Sequence, residues 1–343
     1  MKVTYLMMDY VPHQLTSMNT LVEEYKVNIL SYSISEKFKY IPEKKENFQP
    51  ILFKDQPKKQ VYQDIIKFNP SVLVVAGWMI KDYVWIAKQI KKNTKIKVVA
   101  MSDTPWYGTL KQKINAWISP LHLKKAFDYL WVAGFRQYDY ARKLGFANNQ
   151  IIFNSLSADN KLFHHVEIER KKTNYPKNFL YVGRFAPEKG LNILLEAWEK
   201  IEDKQGWTLT LIGDGPLKNE FIHREDIKIK DYMAHDELLM EMQNAGCFVL
   251  PSLHEPWALV IHEAACAGLP IICTEVCGAA PHFVIDKFNG FQVNKGDSQD
   301  LANKIVLLMN HTDKELIEMS TKSRVLSNRI SPDITVASLL AIN

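Results

Sequence analysis

Residues 251–270, PSLHEPWALVIHEAACAGLP, hold two glutamates, Glu255 and Glu263, with seven residues between them, and the way this stretch folds decides the architecture around it. The apolar run Cys247–Leu250 precedes it and a second run, 269–273, follows it. Runs this short and this continuously apolar, bounded by turn residues, read as buried parallel strands. Between them the spacing predicts a short helix over 257–267, entered at Pro256, where a missing N–H costs nothing, and stopped by Gly268 and Pro270. In an open parallel sheet the start of such a helix faces the ligand crevice beyond the strand carboxyl ends. Glu255 then lies on the loop and Glu263 within the helix. The unpaired amides of a helix start attract an anion, so a carboxylate beside them needs a reason. Either Glu255 complements the helix dipole and Glu263 is a solvated face residue, or the two act on a ligand.

The same alternation runs through most of the chain. Strands are expected at 2–7, 27–32, 72–76, 96–101, 129–132 and 150–153, with helical patterns such as 60–68 and 83–91 between them. A polar, proline-containing stretch, EIERKKTNYPK at 167–177, interrupts the pattern and reads as a linker. A second alternation follows: strand 179–182, helix 191–201, strands 207–212 and 227–230, helix 235–245, then the opening stretch and helices at 301–309 and 314–326. The fold class is therefore α/β, with two Rossmann-like, doubly wound parallel-sheet domains in series. The expected boundaries are 1–165 for the first domain, 166–177 for the linker and 178–328 for the second. Ser331-Pro332 should kink or break the helical pattern there, and 329–343 is expected to cross back to the first domain.

Composition narrows the function classes. An apolar content of 47% and a charged content of 24% are globular values. A net charge of +5 without an unbroken basic tract argues against nucleic acid as a partner. Residues 1–10 carry no cleavable signal pattern, and no apolar run approaches the ~18 residues of a membrane span, so a cytoplasmic location, or the inner face of a membrane, is expected. The cysteines, Cys247, Cys266, Cys273 and Cys277, form no C-x-x-C pair and are expected as reduced, buried thiols.

The second domain opens on YVGRFAPEKGLNILLEAW, 181–198. The strand ends at Gly183, Arg184 follows in the loop, and Lys189 and Gly190 precede the next helix. Arg and Lys five residues apart at a strand carboxyl end can converge on one anion, Arg through its planar fork and Lys as a point charge. Alone, the loop reads equally well as a surface turn whose charges face water. Gly213-Asp214-Gly215-Pro216, after the next strand, is first of all a turn.

Taken together, VGRFAPEKG, IGDGP, CFVLPS, EPWALVIHEAACAGLPII and CGAAPHFVIDKFNGFQV resemble, in order and spacing, the nucleotide-binding domain of the retaining glycosyltransferases of family 4 (glycosyl transferases group 1), which have the GT-B fold, two such domains facing across a cleft. The resemblance spans 181–297; the first domain shares only the α/β layout and segments such as SDTPWYGTLKQK. It implies transfer of a sugar from a nucleotide-diphosphate donor to an acceptor hydroxyl, with retention at the anomeric carbon, in surface polysaccharide or glycolipid synthesis. Arg184 and Lys189, next to Gly183, match the cationic pair on the donor diphosphate. Glu263 matches the carboxylate on the ribose hydroxyls, Glu255 the carboxylate set against the donor sugar, and the amides from Trp257 through Ala258 and Leu259 to Val260 the phosphate-binding helix start. The resemblance implies no cofactor and no metal, only the nucleotide sugar as co-substrate and a carbohydrate or glycolipid acceptor. The departing phosphate takes the acceptor proton in that scheme. Fixed cations and amides suit the charge that develops on it.

The sequence departs from the family at Ala258, where Gly is common; a methyl group restricts the backbone there but leaves the N–H available. The glycine-rich loop usual after the first strand is missing from MMDYVPHQLTSM, and the histidine often found beside the donor sugar has no counterpart. His122 lies in a helical pattern; Asp103, ending the strand 96–101, is better placed for a catalytic contact, or else serves a helix start with Thr104 as cap and Pro105 as first helical residue. Trp78 and Trp106 also follow strand ends, where an aromatic face suits an acceptor sugar or merely packs. The stretch 110–130 carries four lysines among Trp117, Ile118, Leu121, Leu123 and Phe127 and no acid before Asp128. It reads as a helix packed on its own sheet with solvated lysines, or as a basic amphipathic helix on an anionic membrane. Two rivals to a transferase share the expected fold: a sugar-nucleotide epimerase, which needs no acceptor, and a non-catalytic two-domain sugar-binding protein, which leaves the Arg184 and Lys189 pair unexplained.

Overall fold

The computed structural model describes residues 1–34, 42–53, 56–221 and 227–342. It divides into two compact units, one comprising Met1–Ser157 with the C-terminal stretch from Pro332, the other Ala158–Ser331. Among the described residues no helix is long and apolar enough to cross a membrane.

The first unit is built on β1 (Lys2–Met7), β2 (Asn28–Ser33), β3 (Phe48–Leu52), β4 (Val72–Val75), β5 (Lys97–Ser102), β6 (Tyr129–Val132) and β7 (Ile151–Ile152). All pair in parallel, in the order β3-β2-β1-β4-β5-β6-β7. A run such as Val72–Val75 is buried along its whole length because helices cover both faces of the sheet. β3, FQPIL, carries Pro50 and was not among the expected strands. It is tolerated because β3 is an edge strand, where a missing N–H need not break the ladder. The strand order reverses between β1 and β4, which places the ligand crevice of this sheet beyond their carboxyl ends.

The helical pattern breaks before Pro332, as expected: one helix ends at Ser327, the next starts at Pro332, and the chain returns to the first unit there. Pro332 occupies the first turn of the helix Pro332–Leu340, a position that needs no N–H. Val336 and Leu339 of that helix are fully buried with Val3, Met18 and Leu21, so the C-terminal segment belongs to the core of the first unit. Its last residue, Asn343, lies outside the described residues.

The second unit holds β8 (Asn178–Val182), β9 (Thr208–Ile212), β10 (Ile227–Lys230), β11 (Cys247–Leu250), β12 (Ile271–Thr274) and β13 (Gly290–Val293), parallel in the order β10-β9-β8-β11-β12-β13. The four cysteines are buried and free.

The stretch expected as a linker, 166–177, is instead integral to this unit, and the division between units falls at 157/158. Ile168–Lys171 is helical, and Lys171, only 1% exposed, donates from Nζ to the carbonyls of Met242 (3.1 Å) and Ala245 (2.8 Å). Lysine can do this because its four-carbon stem packs as an apolar group while the ammonium closes a helix C-terminus. Burial, with Arg324 nearby, lowers its pKa to about 7. Arg324 binds the same segment, donating to the carbonyls of Val166 (2.6 Å) and Cys266 (3.0 Å).

His262 is the other polar tie. Fully buried and stacked on Phe283 at 4.1 Å, its ring accepts from Ala158 N–H at Nδ1 (2.9 Å) and meets the Ser327 carbonyl at Nε2 (3.0 Å). Those partners require the neutral tautomer protonated at Nε2. Burial depresses its pKa to about 3. A depressed pKa means that the unfolded chain takes up a proton first as pH falls, so this contribution is complete above the unfolded value of about 6.5 and is lost on acidification towards about 3. Between about pH 6.5 and 5 the loss from this one group is about 2 kcal/mol. His262→Gln, whose amide offers the same donor and acceptor, is expected to flatten the pH dependence of urea unfolding over that window. An unchanged slope would show that His262 is protonated in the folded protein.

Candidate active site

β8 and β11 are neighbours at the point where the strand order of the second sheet reverses, so the loops leaving their carboxyl ends, 183–190 and 251–258, meet there. The backbone stitches them together. The Glu188 carbonyl accepts from Leu253 N–H (2.9 Å) and His254 N–H (3.1 Å). The loop after β12 joins from the other side, with Gly278 N–H donating to the Glu255 carbonyl (3.2 Å) and Ala279 N–H to that of Trp257 (2.7 Å). Two glycines permit this closeness. Gly190 has φ +67°, and a Cβ on it would lie 2.1 Å from the Pro251 carbonyl oxygen; a Cβ on Gly278 would lie 1.9 Å from that of Pro256.

The side chains gathered by these loops are those the sequence singled out, in partnerships it did not reveal. Lys189 Nζ pairs with Glu255 Oε2, and Ser252 Oγ donates to the same oxygen at 3.3 Å. Glu255 is 7% exposed and the Lys189 side chain 21%, so this is a sheltered pair rather than a surface one. Arg184, exposed, pairs with Glu188 within its own loop, and its carbonyl accepts from Tyr181 OH (2.9 Å). Gly183 sits where a Cβ would come within 2.9 Å of that hydroxyl. Burial, with Glu255 and Glu188 adding to it, pushes the Tyr181 hydroxyl far above its ordinary pKa.

The helix between β11 and β12 is Leu259–Cys266, starting two residues later than the sequence suggests. The reason is Ala258, which has φ +76° and ψ +71°, a left-handed conformation that ends the loop before the helix begins. The first helical bond is Ile261 N–H to the Ala258 carbonyl (3.0 Å), which leaves the amides of Leu259 and Val260 pointing out of the helix start. Trp257 is 3% exposed with its ring tilted on His282 at 5.3 Å, so only its backbone is available to a ligand. An L-residue in the left-handed region costs about 1–2 kcal/mol. Ala258→Gly is therefore expected to stabilise the protein by about 1 kcal/mol in urea unfolding. Destabilisation would show that the methyl group makes a contact worth more than the strain.

Glu263 lies one turn further along the helix, 7% exposed, its pKa raised to about 7 by burial. His235 Nε2 stands 3.7 Å from its Oε1, and burial lowers the His235 pKa. His235 was not singled out in the sequence, where it reads only as the first residue of a helix. Glu263 is thus no solvated face residue, and Glu255 does more than complement a dipole. Among the described residues no cluster of three or more His, Cys, Asp and Glu side chains has the arrangement of a metal site.

Candidates in the first unit are arranged differently. Asp103 is exposed at the carboxyl end of β5, its carbonyl accepting from Gln137 Nε2 (2.9 Å). The helix start expected at Thr104 and Pro105 does not form: residues 103–109 are not helical, and the next helix is Leu110–Ile118, capped by Thr109. Trp78 and Trp106 are half-buried against one core, their rings 6.3 Å and 5.6 Å from that of Tyr140, with Lys143 over Trp106 at 5.0 Å. Both tryptophans pack on Tyr140, Trp78 in a T-shaped contact and Trp106 tilted, and both stay partly exposed.

Two Rossmann-like units in one chain, each built on a doubly wound parallel sheet, are the architecture of the GT-B fold. A solved structure of an Anabaena protein, HepE in complex with UDP, aligns with all of this chain and all of its own at a TM-score of 0.75 and 16% identity. Residues 176–311, all within the second unit, match the model of the family described as glycosyl transferases group 1. An uncharacterized glycosyltransferase of Methanocaldococcus jannaschii is 33% identical over 143 residues, 39% of this chain and 38% of its own length. A putative teichuronic acid biosynthesis glycosyltransferase of Bacillus subtilis is 33% identical over 129 residues, 37% of this chain and 31% of its own. The matched stretches thus span well under half of these two relatives.

Proposed function

We propose that the protein is a retaining glycosyltransferase that takes its sugar from a nucleoside-diphosphate donor held by the second unit and passes it to a carbohydrate or glycolipid hydroxyl held by the first. The observation that carries this reading is the sheltered Lys189–Glu255 pair beside the helix start at Ala258. The Lys189 ammonium, the Arg184 fork and the amides of Leu259 and Val260 are positive groups carried by loops and a helix start that leave neighbouring strands at the switch point. They suit a diphosphate whose charge grows as the bond to the sugar breaks. Glu263, with two acceptor oxygens, suits a pair of ribose hydroxyls. Glu255 suits the transferred sugar, and Asp103 is the candidate for a further contact from the first unit. The charge on the leaving group is met by protein cations and amides, so the chemistry asks for no metal, and no further cofactor is required. The Bacillus subtilis relative, described for teichuronic acid biosynthesis, supports a surface polysaccharide as product.

The test is incubation with UDP-, GDP- and ADP-sugars and aryl glycoside acceptors in the presence of a chelator, the product being read by NMR. Transfer is expected with the anomeric configuration of the donor kept. An inverted anomer, or activity lost to the chelator and restored by a divalent metal, would overturn the mechanism. Interconversion of the nucleotide sugar without acceptor would replace the reading with an epimerase.

A further inference from the structure

The helix Leu110–Ile118 of the first unit is inside out. Its inner face is polar: buried Gln112 donates to the Pro105 carbonyl (2.8 Å) and accepts from Tyr107 N–H (2.7 Å), and Asn115 donates to Tyr140 OH (2.8 Å). Ser119, just beyond the helix, is fully buried and donates to the Leu144 carbonyl (2.7 Å). Its outer face is apolar: Leu110 is 73% exposed, Ile114 50%, Trp117 82% and Leu121 71%, a stripe with the spacing of one helix side. A helix packed on its own sheet turns its apolar stripe inward, so the reading of 110–130 as an ordinary covering helix does not hold for this segment. Ala116 packs against the core from the helix itself, while Leu123, Ala126 and Phe127 of the later part enter it.

The surroundings of the stripe identify what covers it. Exposed Lys111 and Lys113 flank it and exposed Lys125 follows it, while no Asp or Glu occurs from Thr104 to Phe127. Asp128, the next acid, is paired with Lys91 at 2.9 Å. An apolar stripe bordered by cations, on a segment that carries no acid of its own, matches a surface that is apolar in depth and anionic at its rim. We propose that this face docks the protein on an anionic lipid bilayer, the helix lying in the plane of the headgroups with Trp117 at the boundary. The proposal is independent of the donor chemistry.

Co-sedimentation of the full chain with phosphatidylcholine vesicles, with and without phosphatidylglycerol, tests it. Binding is expected to the anionic vesicles and to weaken with added salt. Trp117→Ser with Leu121→Ser, and separately Lys111→Glu with Lys113→Glu, should each lower partitioning at least about tenfold. All four side chains are exposed, so folding, followed by circular dichroism, should not change. The proposal is overturned by failure to bind anionic vesicles, by equal binding to neutral ones, or by binding that survives both double substitutions. It is equally overturned by a dimer that Trp117→Ser with Leu121→Ser dissociates in the absence of vesicle binding, which would assign the face to a second copy of the chain.

Discussion

Glu255→Gln is expected to reduce turnover by about 10²–10³ while leaving the affinity for nucleoside diphosphate unchanged or slightly higher. The amide keeps the shape of the side chain and can still accept from Ser252 Oγ. It removes only the charge. Glu255 shares Lys189 with the position argued for the diphosphate, so loss of that carboxylate frees the ammonium for the ligand instead of weakening its hold. A group that acts on the sugar as positive charge builds at the anomeric carbon contributes in the transition state more than in the ground state, and its loss appears in kcat rather than KM. A fall in nucleotide affinity with kcat preserved would make Glu255 a binding residue.

Lys189→Ala is expected to weaken nucleoside diphosphate binding by about 2–3 kcal/mol and the corresponding nucleoside by less than about 0.5 kcal/mol. Two effects add. The charge-assisted bond to phosphate is lost, and Glu255, left unpaired at 7% exposure, repels the ligand. The double variant with Glu255→Gln separates them, because it removes the repulsion and leaves only the lost bond. Comparable losses for nucleoside and diphosphate would place Lys189 away from the phosphates and dissolve the proposed cradle.

The second unit is legible in the sequence because its signals are local. Parallel strands buried on both faces are short, continuous apolar runs, and Gly190, Arg184 and Lys189 fall on a loop whose ends those runs define. What the linear pattern could not show were partnerships made across loops. Lys189 and Arg184 were read as two cations on one anion, whereas Lys189 pairs with Glu255 and Arg184 with Glu188. His235 meets Glu263 only through the packing of separate elements. The 167–177 stretch misled because a buried lysine looks like any other in a polar composition, and its partners are carbonyls more than 70 residues away. In the first unit, β3 was hidden by Pro50. For the helix at 110–118 the sequence leaves both packings open, because its apolar residues have the usual spacing and nothing in that spacing tells which side faces the sheet.

In the proposed function, the loops after β8 and β11, with the start of Leu259–Cys266, form a nucleoside-diphosphate site. Calorimetric titration of the full chain with UDP, GDP and ADP, each beside its nucleoside and in the presence of a chelator, tests it most directly. One diphosphate is expected to bind with one-to-one stoichiometry, at least about a hundredfold more tightly than its nucleoside, with Lys189→Ala abolishing most of that difference. Failure of all three to bind, or equal affinity for diphosphate and nucleoside, would contradict the account.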